Sequence, residues 1–166
     1  MKKMNTMINI YTIGVYNSTE EEFFNKLLSN NIDLFCDIRQ RRGVRGALYK
    51  FVNSTYLQSK LHSLGIKYLY VKELAPTNEI RQKQKEADKI NHETKKQRTQ
   101  LGEVFAEEYK RQILSNYDFC TLENFIKENH VQNIVFFCVE EKATACHRSL
   151  VAAELSKNNN TKPINL

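Results

Sequence analysis

The 166-residue chain predicts an α/β fold: an open, mainly parallel sheet of about four or five strands with helices on both faces. Three observations point there. Short apolar runs of strand length alternate with longer segments whose apolar residues recur at helical spacing, the pattern of repeated strand-helix-strand units with right-handed crossovers. The run at 134–139 is apolar throughout, as in a strand covered on both faces. Turn-forming residues, Gly14, Gly65 and Pro76, fall where these segments meet.

The elements follow in order. Residues 8–13 form a first strand ending at Gly14, and Ser18 with Glu21 resembles a capping box opening a helix that carries Phe23, Phe24, Leu27 and Leu28. Residues 32–36 form a second strand ending at Asp37. After a basic loop, Asn53 or Ser54 caps a helix with Leu57, Leu61 and Leu64 at helical spacing, and Gly65 stops it. Residues 68–71 form a third strand, closed by Glu73 and the turn at Ala75 and Pro76. From 77 to 116 the pattern is charged and helical. Its first piece, a charged helical insertion at 77–100, is rich in Lys, Gln and Glu and is expected as an exposed helix or lid. Its second piece carries Leu101, Val104, Phe105, Tyr109, Ile113 and Leu114 on one side and is expected to pack. A helix at 119–129, a strand at 134–139 and a last helix at 149–157 complete the pattern, with a frayed tail at 158–161.

This length suits one domain, 1–166, large enough to bury a core. The longest apolar run is far too short to span a bilayer, and the polar-interrupted N-terminal stretch lacks the features of a signal peptide. A cytoplasmic protein with no membrane partner is expected. Four cysteines, at 36, 120, 138 and 146, show no C-x-x-C spacing, so reduced thiols are the default. The formal charge of +6 suits a polyanionic partner, and the excess concentrates at 39–50 and 81–98. The second stretch also carries Glu79, Glu86, Asp88 and Glu93, so a salt-bridged exposed helix explains it.

In open parallel sheets the ligand site lies beyond the carboxyl ends of the strands. Those ends carry Gly14 with Tyr16, Asp37 with Arg39, Glu73, and Glu140 with Cys146, His147 and Arg148. The segments T-I-G at 12–14, D-I-R at 37–39, G-I-K-Y at 65–68 followed by E-L-A at 73–75, and C-x-E at 138–140 with C-H-R at 146–148 together resemble one bacterial and archaeal family, the domain of unknown function 488 (DUF488). The resemblance runs from the first strand to the last helix. It implies an α/β domain of prokaryotic type and no established activity. Two departures stand out: Val15 and Tyr16 follow Gly14 where many relatives have His or Tyr and then Ser, and the basic segment 39–45 replaces a proline-containing loop.

Chemistry is expected where Cys146, His147 and Arg148 stand at the start of the last helix. A helix N-terminus and nearby cations favour a thiolate or a bound anion. Cys146 is a candidate nucleophile, weighed against a thiol that merely packs. His147 and Glu140 are candidate proton carriers, with Asp37 beside them, and Arg148 is a candidate phosphate clamp or a loop-fixing ion-pair partner. Arg39, Arg42 and Arg45, with Gly14, Tyr16 and Glu73, complete the expected anion- or substrate-binding set, the arginine loop tracking phosphates while Tyr49 and Phe51 stack on bases. Magnesium on Asp37, Glu73 and Glu140 is disfavoured for want of a carboxylate motif. Zinc on Cys138, Cys146 and His147 is disfavoured because Cys138 belongs to a buried strand. No cofactor is therefore expected. The expected function is an enzyme acting on a phosphate-containing substrate, nucleic acid or nucleotide, in a basic cleft. The alternative is a noncatalytic nucleic-acid-binding or adaptor domain.

Overall fold

The computed structural model describes residues 7–94 and 99–166. Its sheet has five strands, β1 (Asn9–Ile13), β2 (Leu34–Asp37), β3 (Lys67–Tyr70), β4 (Asn133–Phe137) and β5 (Ile164–Asn165), in the order β3-β2-β4-β1-β5. Every pairing is parallel. Six α-helices connect them: α1 (Glu20–Ser29), α2 (Ser54–Ser63), α3 (Asn78–Ile90), α4 (Glu103–Tyr109), α5 (Phe119–Glu128) and α6 (Arg148–Asn159). No described helix is long and apolar enough to cross a membrane.

The period of two along each strand sends alternate residues to opposite faces, and both faces are apolar. Ile134 and Phe136 of β4 join Ile10, Leu34 and Cys36 in a core completed by Ile80, Tyr109, Leu122, Ile126, Val151 and Leu155, which puts α3 to α6 on that side. Val135 and Phe137 join Ile13, Phe35, Phe23, Leu27, Leu57 and Leu61, which puts α1 and α2 on the other. The expected fold class is the observed one.

Local details differ from the sequence expectations. The capping box lies one residue later: Glu22 N–H donates to Thr19 Oγ1 at 3.2 Å and Thr19 N–H donates to the Glu22 carboxylate at 2.8 Å. Asn53 stands at the N-cap of α2, but its side-chain oxygen accepts from Val44 N–H at 2.8 Å, so it pins the basic loop instead of the helix. The expected frayed tail is ordered. Helix α6 runs to Asn159, Asn160 turns the chain at φ 48°, and β5 then pairs with β1. Asparagine tolerates that left-handed conformation better than most side chains, which is why a polar run ends in a strand here.

The charged stretch is less detached than expected. Helix α3 buries Ile80 and Gln84, and the Gln84 side-chain oxygen accepts from Phe105 N–H at 2.9 Å, tying it to α4. A Cβ at Gly102 would overlap the Gln84 amide, so glycine permits this contact. Its outer face carries the ion pairs read from the sequence: Lys83 stands 3.3 Å from Glu79 and 3.1 Å from Glu108. Residues 95–98 of this stretch lie outside the described residues. One π-type turn, Lys110–Leu114, continues α4 and keeps both Tyr109 and Ile113 buried.

Candidate functional site

Strand β4 decides where a ligand fits. Its neighbours β1 and β2 lead into helices on one face of the sheet, while β4 leads into α6 on the opposite face. Chains leaving adjacent strand ends therefore diverge and leave a crevice. A cleft of about 830 Å³ opens there, lined by Tyr16 after β1, by Arg39, Arg41, Arg45 and Tyr49 after β2, by Cys138, Glu140, Cys146 and His147 after β4, and by Arg81, Gln84 and Lys85 of α3. Its charged lining comprises Arg39, Arg41, Arg45, Arg81 and Lys85 against Asp88 and Glu140, which gives it a positive character.

Arg39 is held rigidly. Its Nε donates to Asp37 Oδ1 at 2.9 Å and its Nη2 to Asp37 Oδ2 at 2.8 Å, a bidentate pair in which the side chains are 3% and 0% exposed. Tyr68 donates its hydroxyl to the same Asp37 Oδ2 at 2.8 Å, and the Arg39 guanidinium lies 4.7 Å above the Phe137 ring. Burial and the Asp37 charge push the Tyr68 hydroxyl up to about 12, so it stays a donor. The third guanidinium nitrogen, Nη1, is buried with no protein partner among the described residues. Arg81 Nε is in the same condition.

Arg148 is used differently. It is 1% exposed, does not line the cleft, and donates through Nη1 to the Glu140 carbonyl at 2.5 Å and through Nη2 to the Glu141 carbonyl at 3.0 Å. It staples the β4–α6 loop shut. Gly14 serves the same junction, since a Cβ there would overlap the Glu140 carbonyl oxygen. Gly14 is buried beside the cleft and does not line it.

At the floor, Cys138, Cys146 and His147 are 6%, 2% and 4% exposed, and their ligand-capable atoms lie within 4.8 Å of one another. Strand β4 ends at Phe137, so Cys138 belongs to the loop and not, as expected, to the strand. His147 Nε2 stands 3.0 Å from the Ile38 carbonyl and Nδ1 stands 3.7 Å from Cys146 Sγ. Burial opposes ionisation of Cys146, but the hydrogen bond from Cys138, the Arg148 charge and the Arg148 N–H outweigh it and lower the thiol to about 7. Cys138 moves the other way, raised by its hydrogen bond to Cys146 and by burial. Burial lowers His147, so its ring is neutral near pH 7. Tyr109 packs its ring 5.4 Å from His147 and donates its hydroxyl to the Leu74 carbonyl at 2.5 Å.

Of the residues read from the sequence, the cleft brings together Tyr16, Arg39, Arg45, Glu140, Cys146 and His147. Arg42 stands behind it, its guanidinium 4.2 Å above the Tyr70 ring. Asp37 is the anchor of Arg39 and Tyr68, away from the cleft lining. Glu73 is exposed in a single turn near Tyr117, also outside the lining, so three strand-end carboxylates do not converge. Sequence reasoning passed over Arg81, assigned to a solvated helix, and Tyr68, assigned only to a strand. Arg81 comes from the second basic stretch, and nothing in the local pattern marks its direction.

A family model described as "Domain of unknown function DUF488" matches residues 19–155, which is most of the chain. No curated protein and no solved structure matches it.

Proposed function

The chain belongs to the DUF488 family, and we propose that it is an enzyme acting on a phosphate-containing substrate, nucleic acid or nucleotide, held in this cleft. The observation that carries the reading is Arg39: a guanidinium fixed by Asp37, lining a positive cleft, with one buried nitrogen left without a protein partner. A buried donor without an acceptor is costly, and an anionic oxygen relieves that cost. Arg41 and Arg45 at the rim attract the rest of a polyanion, Tyr16 and Tyr49, with ring centroids 5.3 Å apart, offer a stacking surface, and Glu140, His147 and Cys146 supply the reactive floor. Asp37 acts here as a positioning residue for Arg39, and Arg148 as a positioning residue for the loop that carries Glu140.

A second reading, a noncatalytic nucleic-acid-binding module, is favoured by the burial of Cys146 and His147, which leaves the basic rim as the most accessible part of the site. Titrating a labelled single-stranded oligonucleotide and a nucleoside triphosphate between 50 and 200 mM salt tests both readings. Affinity is expected to fall roughly tenfold over that range, and again in Arg45→Ala. A salt-independent affinity, or none at the lowest salt, would remove the polyanion from both. Glu140→Gln then separates them: the enzyme keeps binding and loses formation of hydrolysed product, whereas the module loses neither.

A further inference from the structure

We infer that Cys138, Cys146 and His147 form a binding site for a soft divalent metal ion of the zinc class, with a fourth position open to the cleft. The proposal does not depend on which ligand the cleft takes. It begins with a tautomer. The Ile38 carbonyl only accepts hydrogen bonds, so His147 Nε2, 3.0 Å away, carries the ring proton and donates it. The unprotonated Nδ1 lone pair is thereby turned toward Cys146 Sγ. Metal-binding histidines are oriented in this way, by a backbone carbonyl that takes the proton of the other nitrogen.

The spacing suits the ion. A tetrahedral centre with thiolate bonds of about 2.3 Å and an imidazole bond of about 2.0 Å places its ligand atoms roughly 3.5–3.8 Å apart. Cys146 Sγ and His147 Nδ1 already stand at 3.7 Å. The whole set lies within 4.8 Å, so closure takes a side-chain adjustment of about 1 Å, within the ordinary breadth of a rotamer well. Two thiolates and a neutral imidazole are a donor set that selects zinc over magnesium or calcium. Charge is consistent too: two thiolates neutralise a divalent ion, so the loaded site is neutral in a place where Arg148 and Arg81 would otherwise face an uncompensated cation. All three side chains line the cleft, and Glu140 lines it beside them. Three protein ligands facing a cavity are the arrangement of a catalytic zinc centre, in contrast with the four of a closed structural one. In the loaded protein Cys146 is a ligand, which leaves Glu140 as the residue placed to move a proton.

Metal titration of the full chain, kept reduced, provides the test. Cobalt(II) added to chelator-treated protein should bind at about one ion per chain and show thiolate-to-cobalt charge transfer with tetrahedral visible bands, and zinc should displace it. Cys138→Ser and Cys146→Ser should each weaken binding tenfold or more, while Cys120→Ser, at an exposed thiol on α5, should leave it unchanged. Because the buried variants can fail to fold, the wild-type chain carries a second measurement: zinc should protect two thiols from a thiol reagent. Cobalt spectra without thiolate bands, unchanged affinity in both folded serine variants, or no zinc protection of thiols would each overturn the site.

Discussion

The loops leaving β2 and β4 each bury an arginine, and the two arginines do opposite things. Arg148 spends both terminal nitrogens on carbonyls of its own loop and faces away from the cleft, whereas Arg39 is clamped by Asp37 and lines the cleft with one nitrogen in reserve. Both are at least 97% buried, so burial alone does not separate a structural cation from a recognition one. The donor count and the direction of the side chain do. The same contrast extends outward, from these buried junctions to the ion pairs of α3 and α4 on the surface, where water carries most of the electrostatic load.

The largest effect expected from this contrast lies at Asp37. Asp37→Ala leaves Arg39 buried and unpaired and should cost about 3–5 kcal/mol in urea unfolding, while replacing both partners by apolar residues of similar size should recover most of it. A single variant as stable as the parent would show that Arg39 escapes to solvent. Next comes Arg148→Met, which keeps the apolar stem but strips two carbonyls of their donors. It should destabilise by about 2–3 kcal/mol without changing the salt slope of oligonucleotide binding. A lost salt slope in the folded variant would make Arg148 a phosphate ligand after all. The smallest effect belongs to Glu108, whose carboxyl is lowered to about 2 by hydrogen bonds from Arg111, Gln112 and Lys83. A depressed carboxylate contributes stability above its unfolded value and loses it as pH falls toward its folded one. The parent should therefore lose slightly more stability than Glu108→Gln between pH 5 and pH 2, and parallel acid curves would show that the cluster contributes nothing.

Much of the architecture was legible because hydrophobic period is a local property. Phe23, Leu27, Leu57 and Leu61 announce buried helix faces, and the apolar run at β4 announces a strand covered on both sides; each is buried as its spacing requires. Strand and helix ends were less legible. Thr19 replaced Ser18 as the cap because the choice between adjacent hydroxyls depends on where the preceding turn delivers the chain. The tail at 158–161 was missed because a two-residue edge strand is made by the free edge of β1 and hardly by its own residues. At the site, Cys146, His147, Glu140 and Arg39 were legible as polar residues just past strand ends. Arg81, Tyr68 and Cys138 were not, since the first arrives from a helix remote in sequence, the second through a neighbouring strand, and the third through a strand that stops one residue early.

By itself the sequence determined the alternating sheet and helices, the positive charge near the strand ends, and the position of the C-H-R triplet at the start of a helix. These follow from periodicity, composition and capping, which act over a few residues. Only the tertiary structure decided what each group of the triplet faces. The Ile38 carbonyl selects the His147 tautomer, two loop carbonyls take Arg148 out of the cleft, and the end of β4 turns Cys138 toward Cys146. Hydrogen bonds and short distances between residues up to 109 positions apart settle those questions, and no local pattern encodes their direction.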